Sequence, residues 1–320
     1  MGVCAMTATT EREATTLDAE TAAAKGARQE RVPRGAPRAF AAKLTPPALP
    51  RDHLTRTALH ERLDDAFGRT LTTVVAAPGF GKTTLVASWA AELRSAWYTV
   101  DRSDATLAAF AAGLADALEF RELASDRAGD GSAGDERGWA ERLAGLFAEN
   151  LDHRLTSDFF LVLDDLHELD PNSASARLVE ALCRQAPPLF HLVLVSRSEP
   201  PFPIERLRGR GQVISIGAPD LAFHLEEVRA VLGAEDERWA DALAEEVHRL
   251  TAGWPAAVRL IAEALRGGPD EVRERLKAAG RAGGSLFTYL AEEVFESEPE
   301  DVRDLLRIAK RTTNSPTAWH

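Results

Sequence analysis

Cysteine is nearly absent: Cys4 and Cys183 are the only two in 320 residues. Two thiols, one of them in a polar leader, cannot build a disulfide framework, so reduced cysteines of a cytosolic protein are expected. Long apolar runs are missing too. No stretch approaches the ~18 residues that crossing a bilayer takes, and Thr9, Glu11, Arg12 and Glu13 interrupt the N-terminus before a signal core can form. Met1-Gly2 has Met6 where a myristoylation start needs Ser or Thr, with Thr7 one place late. A basic excess is the third absence, since 38 Lys and Arg face 50 Asp and Glu, a net charge of −12. Phosphate neutralisation supplies much of the affinity of duplex-binding modules, so no DNA or RNA binding by the chain itself is expected. These absences leave a cytoplasmic protein with no membrane attachment.

What is present is globular in composition, with 45% hydrophobic and 28% charged residues, and the length predicts about two domains. Residues 1–42 are Ala, Thr, Glu and Arg without sustained apolar period, a disordered leader that runs into a Pro-punctuated extended arm (Pro46, Pro47, Pro50). From Thr57 the pattern becomes regular. Leu59, Leu63 and Phe67 mark one face of a helix. Short apolar strands at Leu71–Val75, Ala96–Val100, Phe159–Leu163, Leu192–Val195 and Val213–Ile216 then alternate with helical periods at Thr83–Leu93, Leu107–Phe120 and Ala174–Gln185. Strands apolar without interruption, alternating with helices, predict an α/β fold with a parallel sheet covered on both faces. Residues 121–138, acidic and Gly-rich, read as a surface insertion. Beyond Leu221 only helical periods follow, at 224–232, 238–250, 256–266, 271–279, 287–295 and 300–310, so an all-helical part succeeds the α/β core.

The strongest local signal is Ala76-Ala77-Pro78-Gly79-Phe80-Gly81-Lys82-Thr83-Thr84, directly after a strand and opening a helix. This is the P-loop pattern with Ala76 in place of the first glycine. Gly79 and Gly81 let successive N–H groups turn toward phosphate oxygens, and the new helix presents its positive end to the same anion. Gly79, Phe80, Gly81, Lys82, Thr83 and Thr84 are therefore the expected nucleotide-binding residues. Lys82 would reach between the β- and γ-phosphates, and the Thr83 hydroxyl would ligate Mg²⁺. A second signal, Phe160–Leu163 followed by Asp164 and Asp165, places two carboxylates at the C-terminal end of a buried strand, where parallel sheets hold ligands. Asp164 would hold the water shell of Mg²⁺ and Asp165 would face the attacking water. A third strand ends in Ser196-Arg197-Ser198, where a guanidinium could report a γ-phosphate. His167 fits a structural hydrogen bond better than a catalytic one.

Taken in order, these motifs resemble a named family. Lys43-Leu44-Thr45-Pro46-Pro47 with Leu54-Thr55-Arg56, then AAPGFGKTTL, AWYTVD, FLVLDDLHEL, HLVLVSRSEPPFPIERLRGRGQ and TAGWPAAVRL are similar to the ATPase module of MalT-like regulators. These are large LuxR-type ATP-binding transcription activators within the STAND class of signal-transducing NTPases. The resemblance runs from about Lys43 to Leu306. It implies a P-loop NTPase core at 43–220, a helical lid at 221–283 and a partial winged-helix segment with a divergent tail at 284–320, opening with Tyr289–Val294. It also implies that Arg197 is a sensor arginine on the terminal phosphate and that Gly253 and Pro255 form a GxP motif whose proline packs near the adenine. Arg56 matches the arginine of the segment lining the base site. Neither sensor repeats nor a helix-turn-helix follow before His320, which reads as truncation ahead of both. The function implied is an ATP/ADP switch with slow hydrolysis and self-association in the ATP state. The rivals are a nucleotide-binding remnant that engages full-length paralogues, and a conventional P-loop kinase or ATPase.

Overall fold

The computed structural model describes residues 38–50, 52–120, 136–234 and 237–265. Two compact units divide the chain, residues 1–42 and 43–320. Where composition predicts a leader without structure, the Ala-rich stretch Arg38–Lys43 is a short helix, α1, in keeping with its strong helix formers. The remaining description concerns the second unit.

Its centre is a five-stranded sheet of β1 (Leu71–Val75), β2 (Ser95–Thr99), β3 (Phe159–Asp164), β4 (Phe190–Ser196) and β5 (Val213–Gly217). The strand order is β2-β3-β4-β1-β5, and every pairing is parallel. The apolar runs that announce a sheet covered on both faces are buried as expected: Phe160–Leu163 and Leu192–Leu194 have no exposed surface. β1 carries two threonines into this interior. Thr73 Oγ1 donates toward Ser215 Oγ at 3.1 Å and Ile214 O at 3.3 Å, so its hydroxyl is not left unpaired at a cost of ~1–3 kcal/mol.

One face of the sheet is covered by α2 (Thr57–Asp64) and α3 (Lys82–Ala90). Leu59, Leu63, Val86 and Trp89 pack there on Phe160, Val162, Val193 and Ile214. Trp89 meets Phe160 edge to face at 5.1 Å and donates its indole N–H to Asp64. Leu161 and Leu163 alternate to the opposite face. That face is covered by α4 (Leu107–Ala117), α5 (Glu136–Arg154) and α6 (Ala174–Gln185), whose Phe110, Leu114, Phe147, Leu151 and Leu178 are buried. α6 begins where the Ser173 hydroxyl accepts from the Ala176 N–H at 3.1 Å, an N-cap typically worth ~1 kcal/mol. A short α7 (Glu205–Gly209) precedes β5.

After β5, α8 (Ala218–Leu221) leads into α9 (Leu225–Gly233), α10 (Glu237–Thr251) and α11 (Pro255–Leu265). These helices close on a separate core of Phe223, Val228, Leu232, Leu243, Val247, Val258 and Ile261. The α/β fold followed by helices is therefore as the sequence pattern implies. The helices expected over 271–279, 287–295 and 300–310, the winged-helix segment and most of the 121–138 insertion lie outside the described residues. Among the described residues, no helix is long and apolar enough to cross a membrane.

Candidate nucleotide site

Parallel register brings the three sequence signals to one edge of the sheet. Val75 is level with Ser196 on β4, Leu163 with Leu194, and Thr99 with Asp164. The loop after β1, the carboxylates after β3 and Arg197 after β4 consequently emerge side by side. The junction is tied directly, since the Ala76 N–H donates to Ser196 O at 3.3 Å.

The loop itself turns through two left-handed glycines, Gly79 at φ +80° and Gly81 at φ +75°. Their reasons differ. A Cβ built on Gly81 would meet nothing within 4 Å, whereas one on Gly79 would stand 2.8 Å from the Trp254 indole nitrogen and from Ala256 Cβ. Gly81 therefore answers to backbone conformation and open space, while Gly79 also answers to the helical part packed against it. Phe80 is half-buried and packs against the first core, so its side chain anchors the loop. Thr84 is half-buried in the first turn of α3.

Lys82 opens α3 and is only 8% exposed. Its Nζ donates to Ala77 O at 3.1 Å. Burial, and then the nearby Arg197 cation, hold its pKa below the usual lysine value. Thr83 Oγ1 donates to Asp164 Oδ1 at 3.2 Å, and the same oxygen accepts from the Asp165 N–H at 3.0 Å. A hydroxyl and a carboxylate at this spacing are the hard oxygen donors that Mg²⁺ takes from protein, so the donor set fits that ion. Asp165 sits at φ +55°, the left-handed region that Asp tolerates better than most residues. It borders a cavity of about 530 Å³ lined also by Thr99, Asp101, Ser103 and Glu168. Arg197 is exposed and has no protein hydrogen bond or ion pair among the described residues. Among the described residues His167 holds both ring nitrogens buried without a hydrogen-bond partner, 3.8 Å from Asp165 and 3.7 Å from Glu168. Burial, and then Arg197, lower its pKa. The structural hydrogen bond predicted for His167 is thus not made to any described residue.

Asp164 is 4% exposed, and burial together with the charge of Asp165 raises its pKa from 3.8 to about 6. An acid raised on folding costs nothing below its unfolded value, and the cost is complete only above the folded one. In nucleotide-free protein treated with chelator, Asp164→Asn should therefore raise stability at pH 7.5 by roughly 2–3 kcal/mol. Asn keeps an oxygen for Thr83 and for the Asp165 N–H. The gain should shrink as pH falls through 6 toward 4. Thermal unfolding across that range checks it, and a gain independent of pH, or a loss at pH 7.5, refutes it.

Pro255 is buried at the first position of α11, where its fixed φ and missing N–H suit a helix start. Arg56 is engaged in a different way from a base-site residue that faces ligand. It forms a bidentate pair with Glu227 at 2.7 and 2.9 Å and donates to the carbonyls of Leu221 and Ala222 at 2.6 and 3.1 Å. Its guanidinium also lies 5.2 Å from the Phe223 ring centre. Two contacts have no forecast in the motifs: Trp254 Nε1 donates to Pro78 O at 3.2 Å, and the Ala256 N–H donates to Gly79 O at 3.0 Å. Gly-Trp-Pro reads locally as a helix stop and start. Only the fold reveals that it touches the loop.

The chain matches the AAA ATPase domain over residues 51–195. It is similar to the HTH-type transcriptional regulator MalT of Yersinia enterocolitica, 29% identical over 273 residues, covering 82% of this chain and 30% of that protein. It is also similar to MalT of Serratia proteamaculans, 30% identical over 275 residues, covering 82% of this chain and 29% of that protein. The chain thus spans about 30% of the length of these relatives. In fold it resembles a signal transduction ATPase with numerous domains (STAND) protein with a tetratricopeptide repeat sensor from Pyrococcus horikoshii. That likeness has a TM-score of 0.50 and 15% identity, over 82% of this chain and 35% of that one.

Proposed function

Because the chain carries a MalT-like AAA ATPase domain on a P-loop NTPase fold, we propose that it is an adenine-nucleotide switch serving as the ATPase part of a transcriptional regulator. One observation carries the reading. Lys82, the Thr83–Asp164 pair, Asp165 and Arg197, which has no protein partner among the described residues, share one edge of the sheet, with the helical part packed on the loop between them. The loop N–H groups and Lys82 hold the phosphates, and Thr83 with Asp164 hold the Mg²⁺ that would offset phosphate charge. Asp165 orients water from its open side. Arg197 distinguishes triphosphate from diphosphate, and Pro255 borders the base. Hydrolysis is slow and acts as a reset.

Arg197 alone does not complete such a switch. Charge-assisted contacts contribute roughly 1.5–3 kcal/mol, while moving a population from 1:99 to 99:1 takes about 5.5 kcal/mol. Self-association in the ATP state supplies the remainder in this reading. The test is to denature purified protein and identify any released nucleotide, then compare hydrodynamic size with ADP and with a non-hydrolysable ATP analogue under Mg²⁺. Retained ADP and a larger species with the analogue are expected. Failure to bind either nucleotide, or turnover at kinase rates of about 1–100 s⁻¹, would overturn the proposal.

A further inference from the structure

The two bonds from α11 to the loop have a consequence for the loop's opposite side. Every peptide of the described chain is trans, and in a trans peptide the C=O of one residue and the N–H of the next point in opposite directions within one rigid plane. Trp254 Nε1 fixes the Pro78 carbonyl and so aims the Gly79 N–H. The Ala256 N–H fixes the Gly79 carbonyl and so aims the Phe80 N–H. Both amides belong to the turn whose N–H groups form an anion nest. We propose that Trp254 and the first turn of α11 are a latch that positions these two N–H groups for a diphosphate and sets how fast the diphosphate leaves.

The latch is firmly mounted. Pro255 has no N–H, so Ala256 offers one of the first donors that the helix cannot use internally. Behind it, Gly253 at φ +73° accepts from the Phe223 N–H at 2.7 Å, and Phe223 lies under Arg56. The ring of Trp254 and the Ala256 methyl leave no room for a side chain at residue 79. Moving the helical part away from the sheet therefore breaks both bonds at once and frees two peptide planes of the loop. This inference rests on the proposed nucleotide site and adds a residue that controls exchange there.

The experiment uses two probes, a fluorescent ADP and inorganic pyrophosphate, on the 320-residue chain and on Trp254→Phe, which keeps an aromatic ring but removes the indole N–H together with part of the ring that packs beside Gly79. One lost net hydrogen bond predicts about fivefold faster ADP release and about fivefold weaker pyrophosphate binding, with unfolding temperature little changed. Pyrophosphate has no base, so a Trp254 that acted only through the adenine side would leave its affinity untouched. In the wild-type chain, hydrogen exchange of the Ala256 amide should slow when ADP is added, a readout independent of how any variant folds. Unaltered release and pyrophosphate affinity in a folded Trp254→Phe would overturn the latch alone. An Ala256 amide indifferent to ADP would do the same. A wild-type chain that binds neither probe removes the nucleotide site itself, and the latch falls with it.

Discussion

Lys82→Ala is expected to abolish nucleotide retention while leaving the nucleotide-free protein at least as stable as the parent. The lysine ammonium is nearly buried, its only hydrogen-bond acceptor among the described residues is one carbonyl, and the neighbouring Arg197 cation adds to its cost. A buried charge held this loosely does little for the empty fold. Toward bound phosphates it supplies charge-assisted bonds worth roughly 1.5–3 kcal/mol each. Losing two of them weakens affinity by about two to four orders of magnitude. Equilibrium binding of ADP and thermal unfolding of the nucleotide-free protein are the paired measurements. A variant that still retains ADP through purification would show that the loop is not the principal phosphate site. A variant that unfolds without ligand would show that Lys82 is structural.

Gly253→Ala should be the most destabilising of the single-methyl changes in the helical part. Gly253 occupies φ +73°, and a Cβ there would overlap the Phe223 carbonyl and crowd its backbone nitrogen at 3.0 Å. The obstacle is backbone, held by the Phe223 N–H to Gly253 O bond, so no rotamer change relieves it. Left-handed strain costs ~1 kcal/mol by itself, and the overlap brings the total to about 3 kcal/mol or more. The loss should appear as early release of the helical part, read by limited proteolysis between 222 and 255, with the sheet domain unfolding later. Gly81 is the internal comparison, for it shares the positive φ but meets nothing. Wild-type-like stability in Gly253→Ala would mean that the chain between α10 and α11 can relocate.

How much of this was legible depended on whether the physics was local. The strands announce themselves because a sheet buried on both faces needs unbroken apolar runs, and Phe160–Leu163 or Leu192–Val195 can hardly be anything else. α6 falls over Ala174–Gln185 as predicted because Ser173 marks its start. α5 escapes the reading, although Ala140, Leu143, Phe147 and Leu151 recur at helical spacing and are all buried. The acidic, glycine-rich residues 121–138 read as a surface insertion, and the segment between them and Phe159 carries no assignment of its own. The phosphate loop and the carboxylates are legible because they are short motifs with fixed spacing. The role of Gly79 against Trp254, and the grip of Arg56 on residues 220–222, are not, because each joins positions more than 160 residues apart. His167 illustrates the limit from the other side. An isolated histidine invites the expectation of a hydrogen bond, and among the described residues its ring nitrogens have none.

Arg56 bears on how the molecule can be divided. It grips the connector at Leu221 and Ala222, and Leu54 beside it packs into the core of the helices. The helical part is thus discontinuous, built from residues near 54–56 together with 221–265. A cut in sequence at 220, however natural by element order, would strand a guanidinium and a leucine on the wrong piece. It would also leave Glu227 and the carbonyl oxygens of Leu221 and Ala222 without their donor. During synthesis the same geometry delays completion: Arg56 leaves the ribosome about 170 residues before its partner Glu227 does. The sheet can form in that interval, while the helices close only once an arm made near the beginning of the chain has been brought round to them.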